Sequence, residues 1–182
     1  YVYFTSAFVT LRYDTRNSFI NPSKGFYASC DAEFANLNVK SNVNFIRWSS
    51  VVQYFSTLWH PSTVIALRLI SNNIIGDNLP LQILLPVGGT NTLRGSPIDR
   101  YLDKNTILAN AELRFPIVWR LGGLVALDAG KVFSLLNKAT LNAWEINPTL
   151  GLRLYMDTFI VRIDIGFGKE TTGFYFNFGQ LF

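Results

Sequence analysis

The sequence predicts an all-β protein, and more specifically an antiparallel transmembrane β-barrel. Three observations predict this fold: apolar and polar residues alternate with a period of two, turn residues separate the alternating segments, and no segment has the period of a helix. The chain has 182 residues, of which 49% are hydrophobic, so we expect an ordered domain that covers a large apolar surface.

The alternating segments are about nine in number, and turn sequences such as "NPSKG" and "KETTG" separate several of them. They lie near residues 3–14, 25–35, 44–56, 62–73, 105–118, 122–133, 146–156, 158–168 and 173–182. An odd strand number is unusual for a bacterial barrel made from one chain. We therefore expect residues 1–182 to form the C-terminal part of a larger barrel, or a protomer that a second chain completes.

The alternation predicts one apolar face and one charged face for each strand. Toward lipid we expect Ile107, Leu113, Leu152, Ile163 and Phe176. Toward the barrel interior we expect Glu112, Arg114, Arg153, Arg162 and Asp164. A soluble sandwich would alternate in the same way, but several segments reach ten or more residues. At about 3.3 Å per residue and a tilt near 45°, such strands cover the apolar height of a bilayer.

Aromatic residues lie near the ends of the predicted strands, where a membrane barrel has its interfacial girdles. They are Trp48, Trp59, Trp119, Trp144, Tyr54, Tyr155 and Tyr175. Packing of these rings in a protein core is the alternative.

The last ten residues, "GFYFNFGQLF", continue the alternation into a predicted final strand. Phe174, Phe176, Phe178 and Phe182 share one face, whereas Tyr175, Asn177 and Gly179 share the other, and Gln180 interrupts the apolar phase. This ending resembles the C-terminal strand of bacterial outer-membrane barrels, which serves as a signal for assembly. Gly173 and Gly179 are expected to weaken the edge of this strand and so to favour an openable seam.

The sequence contains no motif that indicates a catalytic site, a metal site or a nucleic-acid-binding site. The single cysteine and the single histidine, His60, form no metal-ligand spacing, and "GGTNT" lacks the lysine and the helix of a phosphate-binding loop. The basic residues that give the net charge of +4 are scattered rather than clustered. We therefore expect no enzyme activity, no cofactor, no metal and no nucleic-acid partner.

The longest polar stretch surrounds one arginine, Arg94, and it carries a family resemblance. "LPVGGTNTLRGSPIDRYLDKNTILANAELRFPI" resembles the most characteristic region of the outer-membrane assembly-factor superfamily, the BamA/TamA type, also called bacterial surface antigen. Further matches are "RYDTRNSFINPSKGFY", "LDAGKVF", "GLRL" and "RIDIGFG", in the family's order. The resemblance implies the C-terminal part of a sixteen-strand barrel in the bacterial outer membrane.

The resemblance also implies a site. In that family a long extracellular loop folds back into the barrel and carries the motif that Gly88, Gly89, Leu93, Arg94 and Gly95 match here; Ser96 stands where the family usually has an aromatic residue. The family pairs the loop arginine with the aspartate that corresponds to Asp128. Glu112 and Asp164 are competing partners, and a solvated loop arginine is the alternative.

The function implied by the resemblance is insertion of β-barrel proteins into the outer membrane. Polypeptide translocation is an alternative, either in two-partner secretion or as the barrel of a patatin-like fusion, and a passive channel or structural barrel is another. The partners expected are outer-membrane lipid, unfolded β-barrel or secreted polypeptides, and accessory assembly proteins or a second chain.

Overall fold

The computed structural model describes residues 4–35, 43–58, 62–76, 79–134 and 144–182. Its strands are β1 (Ser6–Asp14), β2 (Gly25–Ala35), β3 (Phe45–Thr57), β4 (Val64–Gly76), β5 (Leu85–Val87), β6 (Tyr101–Asp103), β7 (Asn105–Val118), β8 (Leu121–Phe133), β9 (Glu145–Tyr155), β10 (Ile160–Phe167) and β11 (Thr172–Phe178). One 3-10 turn (Leu81–Ile83) precedes β5. In the described part of the chain, no helix has the length and hydropathy that crossing a membrane requires.

In the described part of the chain, nine strands form one antiparallel sheet in the order β1-β2-β3-β4-β7-β8-β9-β10-β11, so each long strand pairs with its neighbours along the chain. The prediction of an all-β antiparallel fold with nine long strands is confirmed. The short strands β5 and β6, which pair with each other in a separate two-stranded sheet, were not predicted. Strands of three residues are too short to show an alternating pattern.

The sheet has two edges. Within the described residues, β1 and β11 each pair with a single neighbour, β2 and β10 respectively. The described strands therefore form an open sheet rather than a closed barrel, and both edge strands present unpaired main-chain groups.

The two faces of the sheet differ as the alternation predicts. We call the face against which the β4–β7 connection packs the inner face, and the opposite face the outer face. Glu112 and Arg114 on β7 and Asp164 on β10 are buried on the inner face, whereas Leu113 and Leu152 are exposed on the outer face. Strand register keeps each set together because directly paired residues point to the same side.

The core lies between the inner face and the β4–β7 connection. One cluster contains Val87, Leu93 and Leu108, so it joins the connection to β7. A second contains Ile83 and Leu85 of the connection with Phe45, Ile74, Ala35 and Val43. The connection thus covers part of the inner face and supplies apolar contacts there.

Two of the aromatic residues predicted for a girdle, Tyr175 and Trp119, lie in different environments. Tyr175 is placed on the inner face, where its hydroxyl meets the loop, so the girdle prediction is wrong for this residue. Trp119 lies in the β7–β8 turn and is 88% exposed. Trp59 and His60 lie outside the described residues.

Candidate functional site

The motif segment of the β4–β7 connection turns sharply because several residues have positive φ. Gly88, Gly89 and Gly95 have φ of 138°, 89° and 91°. Glycine reaches this region without the steric cost that a Cβ brings. The main-chain amide of Gly89 donates to the Ser96 carbonyl at 3.1 Å, which closes the segment into a compact loop.

Leu93 and Arg94, at the centre of this loop, are both fully buried. Leu93 packs with Val87 and Leu108. This apolar contact holds the loop against β7 and directs the neighbouring arginine side chain across the inner face.

Arg94 meets three carboxylates from three different strands. Its Nε and Nη2 donate to Oδ2 and Oδ1 of Asp128 at 2.7 and 2.8 Å, which is a bidentate pair. Its Nη1 lies 3.0 Å from Oδ2 of Asp164 and 3.0 Å from Oε1 of Glu112. The structure therefore brings all three candidate partners together around one guanidinium, with the bidentate pair on Asp128.

These carboxylates serve further arginines of the inner face. Asp164 accepts from Nη1 of Arg153 at 2.6 Å and lies 3.5 Å from Nε of Arg162. Glu112 accepts from Nη2 of Arg114 at 2.7 Å. The pairing of Arg153 with Arg162 across β9 and β10 would be repulsive without Asp164 between them.

The inner-face network contains more positive than negative charge. Its buried arginines are Arg68, Arg94, Arg114, Arg153 and Arg162, and its buried carboxylates are Glu112, Asp128 and Asp164. Because removal of one partner leaves a charge in a partly desolvated site, the loop is held by interactions that are costly to break singly.

Polar side chains that were not predicted as site residues complete the network. Asn110 on β7 donates to Oδ1 of Asp128 at 2.7 Å and accepts from Nε of Arg68 at 2.9 Å. Asn147 on β9 donates to the Arg94 carbonyl at 2.8 Å and to Oγ of Ser96 at 3.0 Å. Their position in the inner phase of the alternation was visible in the sequence, but their contact with the loop was not.

The tip of the loop lies directly on the backbone of β10. A Cβ on Gly95 would come within 2.6 Å of the main-chain nitrogen of Gly168 and 2.8 Å of the carbonyl carbon of Gly166. The Gly95 amide donates to the Tyr175 hydroxyl at 2.9 Å, and the Gly95 carbonyl accepts from Thr171 at 2.7 Å. Three glycines at the contact allow this approach, and side chains of the β10–β11 hairpin fix it.

A second connection between the loop and this hairpin is exposed. The guanidinium of Arg100 donates to both carboxylate oxygens of Glu170 at 2.8 Å. These hydrogen bonds lower the pKa of Glu170 below its ordinary value. Glu170 follows β10 in the turn to β11, so the contact lies outside the long strands.

The C-terminal residues correct one prediction. Phe174, Phe176 and Phe178 are exposed on the outer face as expected, but β11 ends at Phe178, and Gly179 has a φ of 83°. This turn sends residues 179–182 across the inner face, where Phe182 is buried. The expectation that Phe182 shares a face with the other phenylalanines is therefore wrong, because the alternation holds only while the backbone stays extended.

Among the described residues, no group of three or more histidine, cysteine or acidic side chains could hold a metal ion. The inner-face carboxylates are instead engaged by arginines.

Comparison with known proteins relates this chain to a family. A model of the Omp85 superfamily domain matches residues 4–182. The solved structure of BamA from Haemophilus ducreyi lacking POTRA domains 1-3 is similar with a TM-score of 0.79 and 13% sequence identity, covering 96% of this chain and 41% of that chain. CdiB from Acinetobacter baumannii gives a TM-score of 0.47 and 16% identity, covering 97% of this chain and 42% of that chain. A comparison with curated protein sequences gives no significant match.

The chain spans about two fifths of the length of these two solved structures. At this level of sequence identity, the similarity to BamA shows a shared fold.

Proposed function

Because this chain belongs to the Omp85 superfamily, we propose that it is the C-terminal part of an outer-membrane β-barrel that inserts other β-barrel proteins into the membrane. The observation that carries the proposal is the fully buried Arg94, which holds the loop on the inner face through Asp128. A loop held on the inner face in this way would restrict access to the interior of the barrel. Activity of this kind depends on strand pairing and needs no catalytic residue.

The location in a membrane is supported by the outer face. Leu127, Leu150 and Phe176 are about half exposed there and belong to a band of exposed apolar side chains that runs over several strands. Soluble monomers rarely expose so large an apolar surface. In a membrane, lipid would cover this band and remove it from water. The exposed apolar band and the family both support the proposal that the chain lies in the bacterial outer membrane.

The unpaired edges of β1 and β11 support two parts of the proposal, namely that the chain belongs to a larger barrel and that it acts by pairing with an incoming strand. β1 and β11 lack a second neighbour in the described sheet, and the chain covers 41% of the BamA structure. Further strands would therefore lie between these edges. The exposed main-chain groups of β11 offer an incoming strand the hydrogen bonds of β-augmentation, and Gly173 in this strand weakens its packing.

Polypeptide translocation is the second candidate function. Polar side chains on the inner face near the β1 edge favour it. Asp31, Glu33 and Arg47 are half-buried inner-face residues near the β1 edge, and of these Arg47 donates to the Ile83 carbonyl of the β4–β7 connection at 3.4 Å. A polar path beside a displaceable loop would suit an extended polypeptide. Accessory proteins or a second chain would act at the free edges in either case.

Reconstitution tests the first candidate against the second. The full-length natural protein that contains this chain is placed in liposomes and given either an unfolded β-barrel protein or an unfolded secreted polypeptide. We expect faster acquisition of protease resistance by the β-barrel substrate than in empty liposomes, with no transfer of the secreted polypeptide into the liposome lumen. Equal folding with and without the protein would contradict the insertion proposal, and transfer of the polypeptide would favour translocation.

The matched variants are Arg94→Ala and Arg100→Ala. Both remove an arginine from the same loop, but Arg94 is fully buried and Arg100 is exposed. We expect only Arg94→Ala to reduce the folding rate of the substrate.

A further inference from the structure

We propose that Phe55, Ala66, Arg68 and Arg114 form a binding pocket for an aromatic residue of a polypeptide, and that Phe182 of the same chain fills this pocket in the structure. We call residues 179–182 the tail and these four residues the tail pocket. The inference rests on the proposed function because the competing polypeptide would be an incoming substrate segment.

The pocket surrounds the ring of Phe182. The ring centroid lies 6.0 Å from that of Phe55, and Phe182 also packs against the fully buried Ala66. The guanidinium carbons of Arg68 and Arg114 lie 4.8 and 5.3 Å from the ring centroid. Two cations near one aromatic ring favour an electron-rich face over an aliphatic side chain of similar size.

The same arginines also bind the main chain of the tail. Nη2 of Arg114 donates to the Phe182 carbonyl at 3.0 Å, and Nη1 of Arg68 donates to the Leu181 carbonyl at 3.4 Å. Recognition at the tail pocket therefore uses one aromatic ring and two carbonyl groups. Any extended segment with an aromatic residue carries these groups, so the pocket fits a class of polypeptides rather than one sequence.

The tail can leave the pocket without breaking the sheet. The β10–β11 ladder ends at Phe178, and the Gly179 amide makes one more bond, to the Ile160 carbonyl at 2.7 Å. Beyond this point the side chain of Gln180 accepts from Nε of Arg153 at 3.0 Å and donates to Oδ1 of Asn21 at 3.1 Å. The contact with Asn21 is exposed, so water can replace it when the tail departs.

Space for the remainder of a bound segment lies next to the pocket. An open cavity of about 320 Å³ is lined by Arg114 and Val64 together with Asn21, Trp119 and Tyr155. Nη1 of Arg114, in a side chain that is 2% exposed, has no hydrogen-bond partner among the described residues. A carbonyl of a bound polypeptide would satisfy this donor.

Peptide binding tests the proposal on the full-length natural protein in detergent micelles. The probe is a fluorescent peptide with the sequence "FNFGQLF" of residues 176–182, and its anisotropy is measured. Phe182→Ala empties the pocket, so we expect this variant to bind the probe at least tenfold more tightly than the unmodified protein. A control peptide with alanine in place of the last phenylalanine should bind the variant at least tenfold more weakly.

A second substitution locates the binding. Ala66→Leu in the Phe182→Ala background fills the tail pocket with two added methyl groups and one methine, and we expect it to abolish the gain in affinity. Phe182→Leu keeps an apolar tail and should give an intermediate affinity, which guards against misfolding of the alanine variant. Equal binding to the emptied and the filled variants, or no gain in either Phe182 variant, would overturn the proposal.

The outcomes separate the pocket from the proposed function. Loss of the expected peptide binding with intact substrate folding in liposomes would overturn the tail pocket alone. Peptide binding without any effect of the protein on substrate folding would overturn the proposed function and leave the pocket in place.

Discussion

Both carboxylate oxygens of Asp128 accept hydrogen bonds from the Arg94 guanidinium, at 2.7 and 2.8 Å, although the two residues are 34 positions apart in the chain. Both side chains are fully buried. This pair therefore joins the β4–β7 connection to β8 at the centre of the sheet.

Arg94→Ala should destabilise the docked loop by about 3–5 kcal/mol, because the substitution leaves Asp128 in a partly desolvated site without its cation. Lysine should restore little, since a point charge cannot make the bidentate contact. Limited proteolysis between Pro86 and Asn105 measures loop release. A double-mutant cycle with Asp128→Asn checks the pairing, and simple additivity of the two effects would refute it.

Gly95→Ala should release the loop tip while leaving every charged partner in place. The added Cβ would lie 2.6 Å from the Gly168 main-chain nitrogen, and the residue must also keep a φ of 91°. Gly179→Ala is the matched control, since its φ is 83° but no atom lies within 4 Å of its Cβ. Conformation alone should cost about 1–2 kcal/mol, so similar proteolysis of both variants would argue against the close contact.

Membrane placement predicts a difference in thiol labelling between the two faces. In a Cys30→Ser background in lipid vesicles, cysteine at Leu127 or Leu152 should resist a water-soluble maleimide, whereas cysteine at Asp31 should react. Glu112 and Asp164 are unsuitable inner-face probes because the loop covers them. Labelling of Leu127 and Leu152 at the rate of Asp31 would contradict a lipid-facing outer surface. Leu152→Arg should cost about 2–4 kcal/mol if this position lies near the midplane.

The Arg100–Glu170 contact predicts a pH dependence of the loop surface. The hydrogen bonds from Arg100 lower the pKa of Glu170 in the folded protein. The contact is therefore complete above the ordinary pKa of glutamate and is lost as the pH falls through the lowered value. A spin label at the exposed Ile98 should become more mobile over this acidic range. Arg100→Gln should abolish the transition, and an unchanged transition in that variant would assign it to another group.

The family resemblance and the alternation together point to the same side chains around Arg94. Arg94 and Asp128 were expected as partners, and they are in contact. Glu112 and Asp164 were expected as competitors, but the guanidinium engages them together with Asp128. A guanidinium has five N–H donors, so a buried arginine can satisfy several acceptors at once, and only the arrangement of strands determines how many are in reach.

The sequence by itself determined the nine long strands and their two faces, because alternation is a local consequence of extended backbone geometry and is independent of which strands are neighbours. Only the tertiary structure decided which inner-face residues meet the loop. Asn147, Tyr175 and Gly166 come from three strands, and their contact with residues 94–96 depends on sheet register and on the path of a loop more than fifty residues away in the chain. The position of the tail also depends on the tertiary structure. A positive φ at Gly179 ends the alternation, and the arginine-lined pocket that receives Phe182 is assembled from β3, β4 and β7.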